Sequence, residues 1–275
     1  MRPSAFGVVL WAAACVALAF LLIPIVAILS ELTLGELRDG LTSDVARDAL
    51  RVTAETNLVA MALIVLFGTP TAYLLASRSF RGRTLLVTLV ELPLVLPPAV
   101  AGIGLLAAFG RLGLLGGTLE SLGVDIAFTK VAVILAVTFV ASPFYVRTAI
   151  AAFEAVDPDL VAASRTLGAG PARTFGRVAL PLASGGLGAG AALAFARGLG
   201  EFGATIMFAG SLQGVTQTLS LAVYQEFDVD FDTALAIGAL LVLGSALVLF
   251  AAKVIPSWRR SASTSITVSA PSASR

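Results

Sequence analysis

The sequence predicts an all-α, polytopic helical membrane protein with about six transmembrane helices. Three observations predict it. The 275 residues are 58% hydrophobic and only 13% charged, with a mean hydropathy of +0.97, which is too apolar for a soluble domain. The apolar residues form long continuous runs rather than alternating. Lipid offers the backbone no hydrogen-bond partners, so such runs span as helices. Lastly, the basic residues are distributed unevenly over the segments between the runs.

A span needs roughly 20 apolar residues. Candidate spans fall at about 6–29, 54–76, 84–109, 130–152, 180–209 and 233–255. The first is too long for a signal peptide and lacks a convincing cleavage site, so it reads as a retained span. Cys15, the single cysteine, excludes an internal disulfide and reads as a buried, inert residue. With no histidine in the chain, His-dependent catalysis and His-ligated metals are excluded.

Placing both termini inside puts Arg2, Arg78, Arg81, Arg83, Arg147, Arg165, Arg173, Arg177, Lys253, Arg259, Arg260 and Arg275 on the cytoplasmic side. Only Arg38, Arg47, Arg51, Arg111 and Lys130 then lie outside. That asymmetry fits the positive-inside rule. Of the outer segments, 31–50 mixes charged and apolar residues as an amphipathic surface helix would, and 110–128 reads as turns around Gly113, Gly116, Gly117 and Gly123. The acidic run Glu226, Asp228, Asp230 and Asp232 reads as a solvated loop. Residues 1–260 form one membrane domain, and the Ser/Ala-rich tail 261–275 is expected to be disordered in the cytoplasm.

The longest polar interval between two spans is 154–181. Asp157 suits an N-cap, and Pro158 suits the first helical position, where a missing N–H costs nothing. Asp159 places negative charge in the first turn. Gly168 is a left-handed stop, followed by Pro171. A short helix is therefore expected at about 158–167. Leu160 and Leu167 are seven apart on one face, as a helix seated in a groove requires.

Three ionisable residues fall inside spans: Glu91, Arg197 and Glu201. Each costs about 2.5–3.5 kcal/mol on insertion scales if unpaired at mid-bilayer, so partners are expected. Arg197 and Glu201 share a helical face and can pair, although Arg before Glu is the weaker order within one helix. The pair either lines a polar pathway or fixes helix packing. Pro93, Pro97 and Pro98 should bend the third span. The fifth is Gly-rich, including a GxxxG spacing at Gly186 and Gly190 that suits close helix packing. Phosphate-cradling GxxxxGK[ST], HExxH, CxxC and GxSxG patterns are all missing. This predicts a pore or carrier that takes its energy from elsewhere, not an enzyme.

The polar interval resembles the EAA loop of binding-protein-dependent ABC importer permeases. The family pattern is Glu-Ala-Ala, three residues, Gly, nine residues, then Ile-x-Leu-Pro. Here Ala162-Ala163-Ser164 precedes Arg165-Thr166-Leu167 and Gly168, and Val178-Ala179-Leu180-Pro181 follows at the same spacing. Ala162 replaces the glutamate and Ser164 the second alanine. The stretches Leu92–Gly102, Ala194–Gly210 and Thr216–Tyr224 are similar to those of molybdate-type permeases, with sulfate permeases close behind.

This resemblance implies a type I importer permease of MetI-like fold in a bacterial or archaeal inner membrane. It implies a homodimer, two cytoplasmic ATPases that hold the ATP and Mg, and an external substrate-binding protein. No cofactor, metal or nucleic acid is expected on this chain. Asp157, Pro158, Leu160, Ala162, Ala163, Ser164, Arg165, Leu167 and Gly168 would form the coupling helix. Glu91, Pro97, Pro98, Arg197, Glu201, Gly203 and Thr205 would line the pathway or its gate. The expected cargo is molybdate or tungstate, with sulfate the alternative. An ion-coupled secondary transporter would need inverted repeats, and none is visible in the sequence.

Overall fold

The computed structural model describes residues 5–261, and every regular element among them is helical. In chain order these are α1 (Ala5–Ser30), α2 (Leu34–Thr42), α3 (Asp44–Ser77), α4 (Arg83–Val95), α5 (Pro98–Phe109), α6 (Gly116–Ser121) and α7 (Lys130–Glu154). They continue with α8 (Pro158–Thr166), α9 (Pro171–Thr174), a π-helical segment (Phe175–Ala179), α10 (Leu180–Leu199), α11 (Gly203–Ala209), α12 (Leu219–Glu226) and α13 (Phe231–Ser261). Arg2 and the tail expected beyond Ser261 lie outside the described residues.

Five helices are long and apolar enough to cross a membrane, or six if the bent α4–α5 pair is one span. The difference from a plain six-span reading has two causes. The third expected span breaks at Leu96–Pro97, and its halves meet at 113°. Proline denies Leu96 the α region and removes a ladder N–H. Each half is then about 20 Å long at 1.5 Å per residue, short of a hydrocarbon core of roughly 30 Å. The fifth expected span, 180–209, starts earlier and stops earlier. It runs Pro171–Leu199, halts at Gly200, and resumes as the separate α11.

Two segments between the expected spans also differ from expectation. The surface helix expected over 31–50 is only α2, closed by a capping box between Thr33 and Glu36. Ser43 then caps α3 by accepting from Ala46 N–H at 3.2 Å, so the second long helix begins earlier than expected, at Asp44. Residues 110–128 are turns around one short helix, α6.

The core is α3 and α10 packed on α7. Ile64, Leu75, Tyr145, Val146, Phe153, Ala183 and Ala194 meet there. Association in lipid rests on close packing rather than water exclusion, so small residues at contacts matter most. Gly186 and Gly190 face α7, where an added Cβ would come 2.5 Å from Ala152 Cβ and 3.0 Å from Thr148 Cβ. A second cluster joins α5, α7 and α11 through Ala101, Val137, Ala204 and Phe208. A third joins α3, α12 and α13 through Ala49, Leu219 and Ile237. No residue in the apolar stretch of α1 is fully buried against the rest of the chain, which it touches along α13. Cys15 is accordingly exposed, not buried as expected.

Charged residues pin the helix ends. At one end of the bundle, Glu55 of α3 accepts from Arg51 at 2.8 Å and from Lys130 of α7 at 2.7 Å. At the other, Arg83 donates to Leu75 O at 2.6 Å and pairs with Glu154 at 2.5 Å, so α3, α4 and α7 meet in one clamp. These pairs are largely exposed and screened by solvent, so they position the helix ends more than they stabilise the fold.

Candidate functional site

Two places carry the expected functional residues. The first is α8. Asp157 Oδ1 accepts from Asp159 N–H at 2.9 Å, and Pro158 opens the helix. At the other end Gly168 has φ +84°. Its N–H bonds Arg165 O at 3.0 Å, while Ala169 N–H bonds Ser164 O at 3.1 Å. Those two bonds are a Schellman closure, whose left-handed residue a β-carbon would strain. The helix ends at Thr166, with Leu167 as its C-cap rather than its last residue.

α8 has two faces. Pro158, Val161, Ala162 and Arg165 line a cavity of about 390 Å³ against Tyr73, Ser77, Phe153 and Glu154 of the bundle. On the opposite face, Leu160, Ala163 and Leu167 follow helical spacing, and Leu167 is 87% exposed. An exposed leucine on a polar, capped helix outside the spans is a surface suited to a partner's groove. Ser164 points to neither role: its Oγ lies 3.2 Å from Oγ1 of Thr174.

The second place is where the two broken spans meet. Gly203, opening α11, packs on α5: an added Cβ would lie 2.7 Å from Pro98 Cβ and 3.1 Å from Ala99 N. Gly102 packs equally closely on Ala204. The glycines therefore let two interrupted backbones touch. Arg197 and Glu201 straddle the break in α10. Arg197 Nη2 is 2.6 Å from Glu201 Oε2, and Glu201 Oε1 accepts from Ala204 N–H at 2.8 Å. Arg197 thus sits in the last turn of α10 and Glu201 before the first turn of α11, each at the dipole end that favours its charge. The unfavourable Arg-before-Glu order expected of one continuous helix does not apply, because the helix ends between them. Glu201 is buried and Arg197 about a quarter exposed, its side chain at 27%.

The other expected pathway residues are placed differently. Pro97 and Pro98 are exposed at the α4–α5 corner. Glu91 pairs with Arg147 of α7 at 3.5 Å, giving the third intramembrane charge its partner. Thr205 is fully buried in α11, and its hydroxyl has no hydrogen-bond partner.

Sequence reasoning passed over a buried polar seam beside the break. Asn57 Nδ2 donates to Phe195 O at 3.3 Å. Thr53 Oγ1 accepts from Leu219 N–H at 2.8 Å. Ser220 Oγ donates to Leu199 O at 3.0 Å, satisfying a terminal carbonyl of α10. Phe202 rests on Tyr224 with ring centroids 5.2 Å apart. The available signal was the spacing of Thr53, Thr56 and Asn57 on one face of an apolar helix.

Two interrupted spans, an ion pair at their junction and a capped helix between spans are the architecture of a polytopic helical membrane protein. Residues 64–260 match the family described as "Binding-protein-dependent transport system inner membrane component", and the chain belongs to that family of ABC-importer permeases. It is 45% identical over 231 residues to the molybdenum transport system permease protein ModB of Mycobacterium tuberculosis, covering 84% of this chain and 88% of that one. It is 36% identical to the sulfate transport system permease protein CysT of Salmonella typhimurium, covering 86% and 87%. Among solved structures it resembles a bacterial alginate ABC transporter in complex with its pentasaccharide-bound periplasmic protein, with a TM-score of 0.68, 17% identity and coverage of 93% and 96%. It also resembles the MetNI methionine ABC transporter in inward-facing form, with a TM-score of 0.59, 21% identity and coverage of 78% and 95%. These likenesses establish the MetI-like importer fold.

Proposed function

We propose that this chain, as a homodimer in a bacterial or archaeal inner membrane with both termini in the cytoplasm, forms the pathway of an ATP-driven importer of molybdate or tungstate. An external binding protein delivers the oxyanion, and two cytoplasmic ATPases hold ATP and Mg and seat α8 in a groove. The observation that carries the reading is the 45% identity to a molybdenum permease across nearly the whole membrane domain. The rigid capping of α8 supports its part in it: a helix closed at both ends transmits a push that a loose loop would absorb. With Ala162 in place of glutamate, seating rests on Leu160, Leu167 and the flanking charges.

At the junction, the exposed part of Arg197 provides positive potential for a divalent oxyanion. Its pairing with Glu201 keeps that charge from holding the anion too tightly to leave. Sulfate is the second reading, favoured by the likeness to CysT over similar coverage.

The test is ATP hydrolysis by the reconstituted permease–ATPase complex, with binding protein loaded with molybdate, tungstate or sulfate. Stimulation and uptake with molybdate or tungstate, but not sulfate, are expected. Equal or greater uptake of sulfate would overturn the assignment.

A further inference from the structure

The joint between α8 and α10 is built in a way that the loop resemblance does not describe. Thr174 is fully buried, although Pro171, Ala172 and Arg173 before it are exposed. Its hydroxyl bridges two parts of the preceding turn. Ser164 Oγ of α8 lies 3.2 Å away, and Ala169 O, in the Schellman closure, accepts at 3.5 Å. A hydroxyl donates one proton and accepts others, so one consistent arrangement has Ser164 donating to Thr174 and Thr174 donating to Ala169 O.

The π-helical segment Phe175–Ala179 follows at once, with Leu180 N–H bonding Phe175 O. That bond spans five residues rather than four, so the turn holds one residue more than an α-helix would. Single π turns inside helices are frequent at functional sites and accommodate changes of register. Phe175 at its start is held by Tyr73 of α3, with centroids 4.7 Å apart, and by Phe153 of α7 at 6.2 Å. Gly176 beside it faces open space.

We propose that Thr174 is the positioning residue that fastens α8 to the base of α10, and that the π segment is the compliant turn through which α8 drives α10. This rests on the reading of α8 as the helix that receives work from an ATPase. Motion of α8 passes through the Ser164–Thr174 contact, and the wide turn changes register while Phe175 stays seated. α10 then moves as a rod with Arg197 in its last turn.

The experiment uses the permease–ATPase complex in proteoliposomes and reads ATP hydrolysed per molybdate imported, with ATPase co-purification measured alongside. Thr174→Val keeps shape and β-branching but removes the hydroxyl. It is expected to raise the ratio about fivefold, the scale of one neutral hydrogen bond lost, while the ATPase still co-purifies. Thr174→Ser should restore the ratio, and Ser164→Ala should raise it by a smaller factor. Deleting Gly176, which converts the π turn to α, should raise it as well. An unchanged ratio in Thr174→Val with the ATPase bound overturns the inference. Should Thr174→Val fail to fold, an unchanged ratio in both Ser164→Ala and the Gly176 deletion overturns it equally. Failure of the wild-type permease to retain any ATPase would instead overturn the reading of α8 itself.

Discussion

The α8 helix and the junction of the broken spans differ in what holds them. α8 is held by its own ends: a side-chain cap at Asp157, a proline at the first position and a left-handed glycine at the close. All three interactions lie within a dozen residues of sequence. The junction has the local Arg197–Glu201 pair, but it is otherwise held by contacts from far along the chain: Pro98 against Gly203, Asn57 against Phe195, Thr53 against Leu219. Cutting a local cap should therefore damage α8 alone, whereas cutting a junction contact should damage the whole bundle.

The largest effect is expected from Arg197→Ala. It leaves Glu201 buried and without its counter-charge, a change that costs about 3–5 kcal/mol when one partner of a buried pair is removed. Thermal unfolding of the purified protein should fall by many degrees. The double variant Arg197→Ala, Glu201→Gln should recover most of the loss, because no charge is then left unpaired. A single variant as stable as wild type would mean that water, not Arg197, satisfies the carboxylate. Gly203→Ala tests the same region by shape. Its methyl would meet Pro98, and overpacking of this kind costs about 1–3 kcal/mol, again read as bundle stability.

The corresponding change in α8 is Gly168→Val. A β-branched residue in the left-handed region costs about 1–2 kcal/mol, and here it acts on a helix that packs little against the core. Melting of the bundle should stay near wild type, while hydrogen exchange over 158–169 accelerates and coupled uptake is lost. Unchanged coupled uptake in this variant would contradict the role given to α8. Asp157→Ala should act in the same direction and less strongly, by roughly 1 kcal/mol for a lost N-cap.

The same difference explains what could be read from the sequence. Helix α8 was legible almost to the residue, because Asp157, Pro158 and Gly168 encode its ends locally. The proline-rich bend in the third span was legible as a break. Its size was not, since 113° depends on what each half packs against. The stop at Gly200 was hidden, because Ala194–Gly210 stays apolar enough to pass for one continuous span. Arg197 and Glu201 were visible as a pair, but the reason for their order appears only once the helix is seen to end between them. Asn57 and Thr53 were missed because a polar residue in an apolar run does not say which distant carbonyl or N–H it serves.

The weakest effect separates both regions from the chain's remaining charges. Glu36 and Asp230 lie outside the spans and serve as caps. The Thr33 N–H and hydroxyl hold the Glu36 carboxyl below its ordinary 4.5, and the Thr233 hydroxyl and N–H hold Asp230 below 3.8. A depressed folded-state pKa means that these caps contribute fully above the ordinary values and lose their contribution as pH falls through the lower, folded ones. Glu36→Gln and Asp230→Asn should therefore be slightly less stable than wild type at neutral pH. The gap should close as the pH drops below 3.8, because protonation then removes from the wild type what the substitutions already lack. Melting curves of the three proteins across that range check it. A gap that widened on acidification would mean that the neutral side chains cap better than the carboxylates do, and that the charge at these helix starts works against the fold.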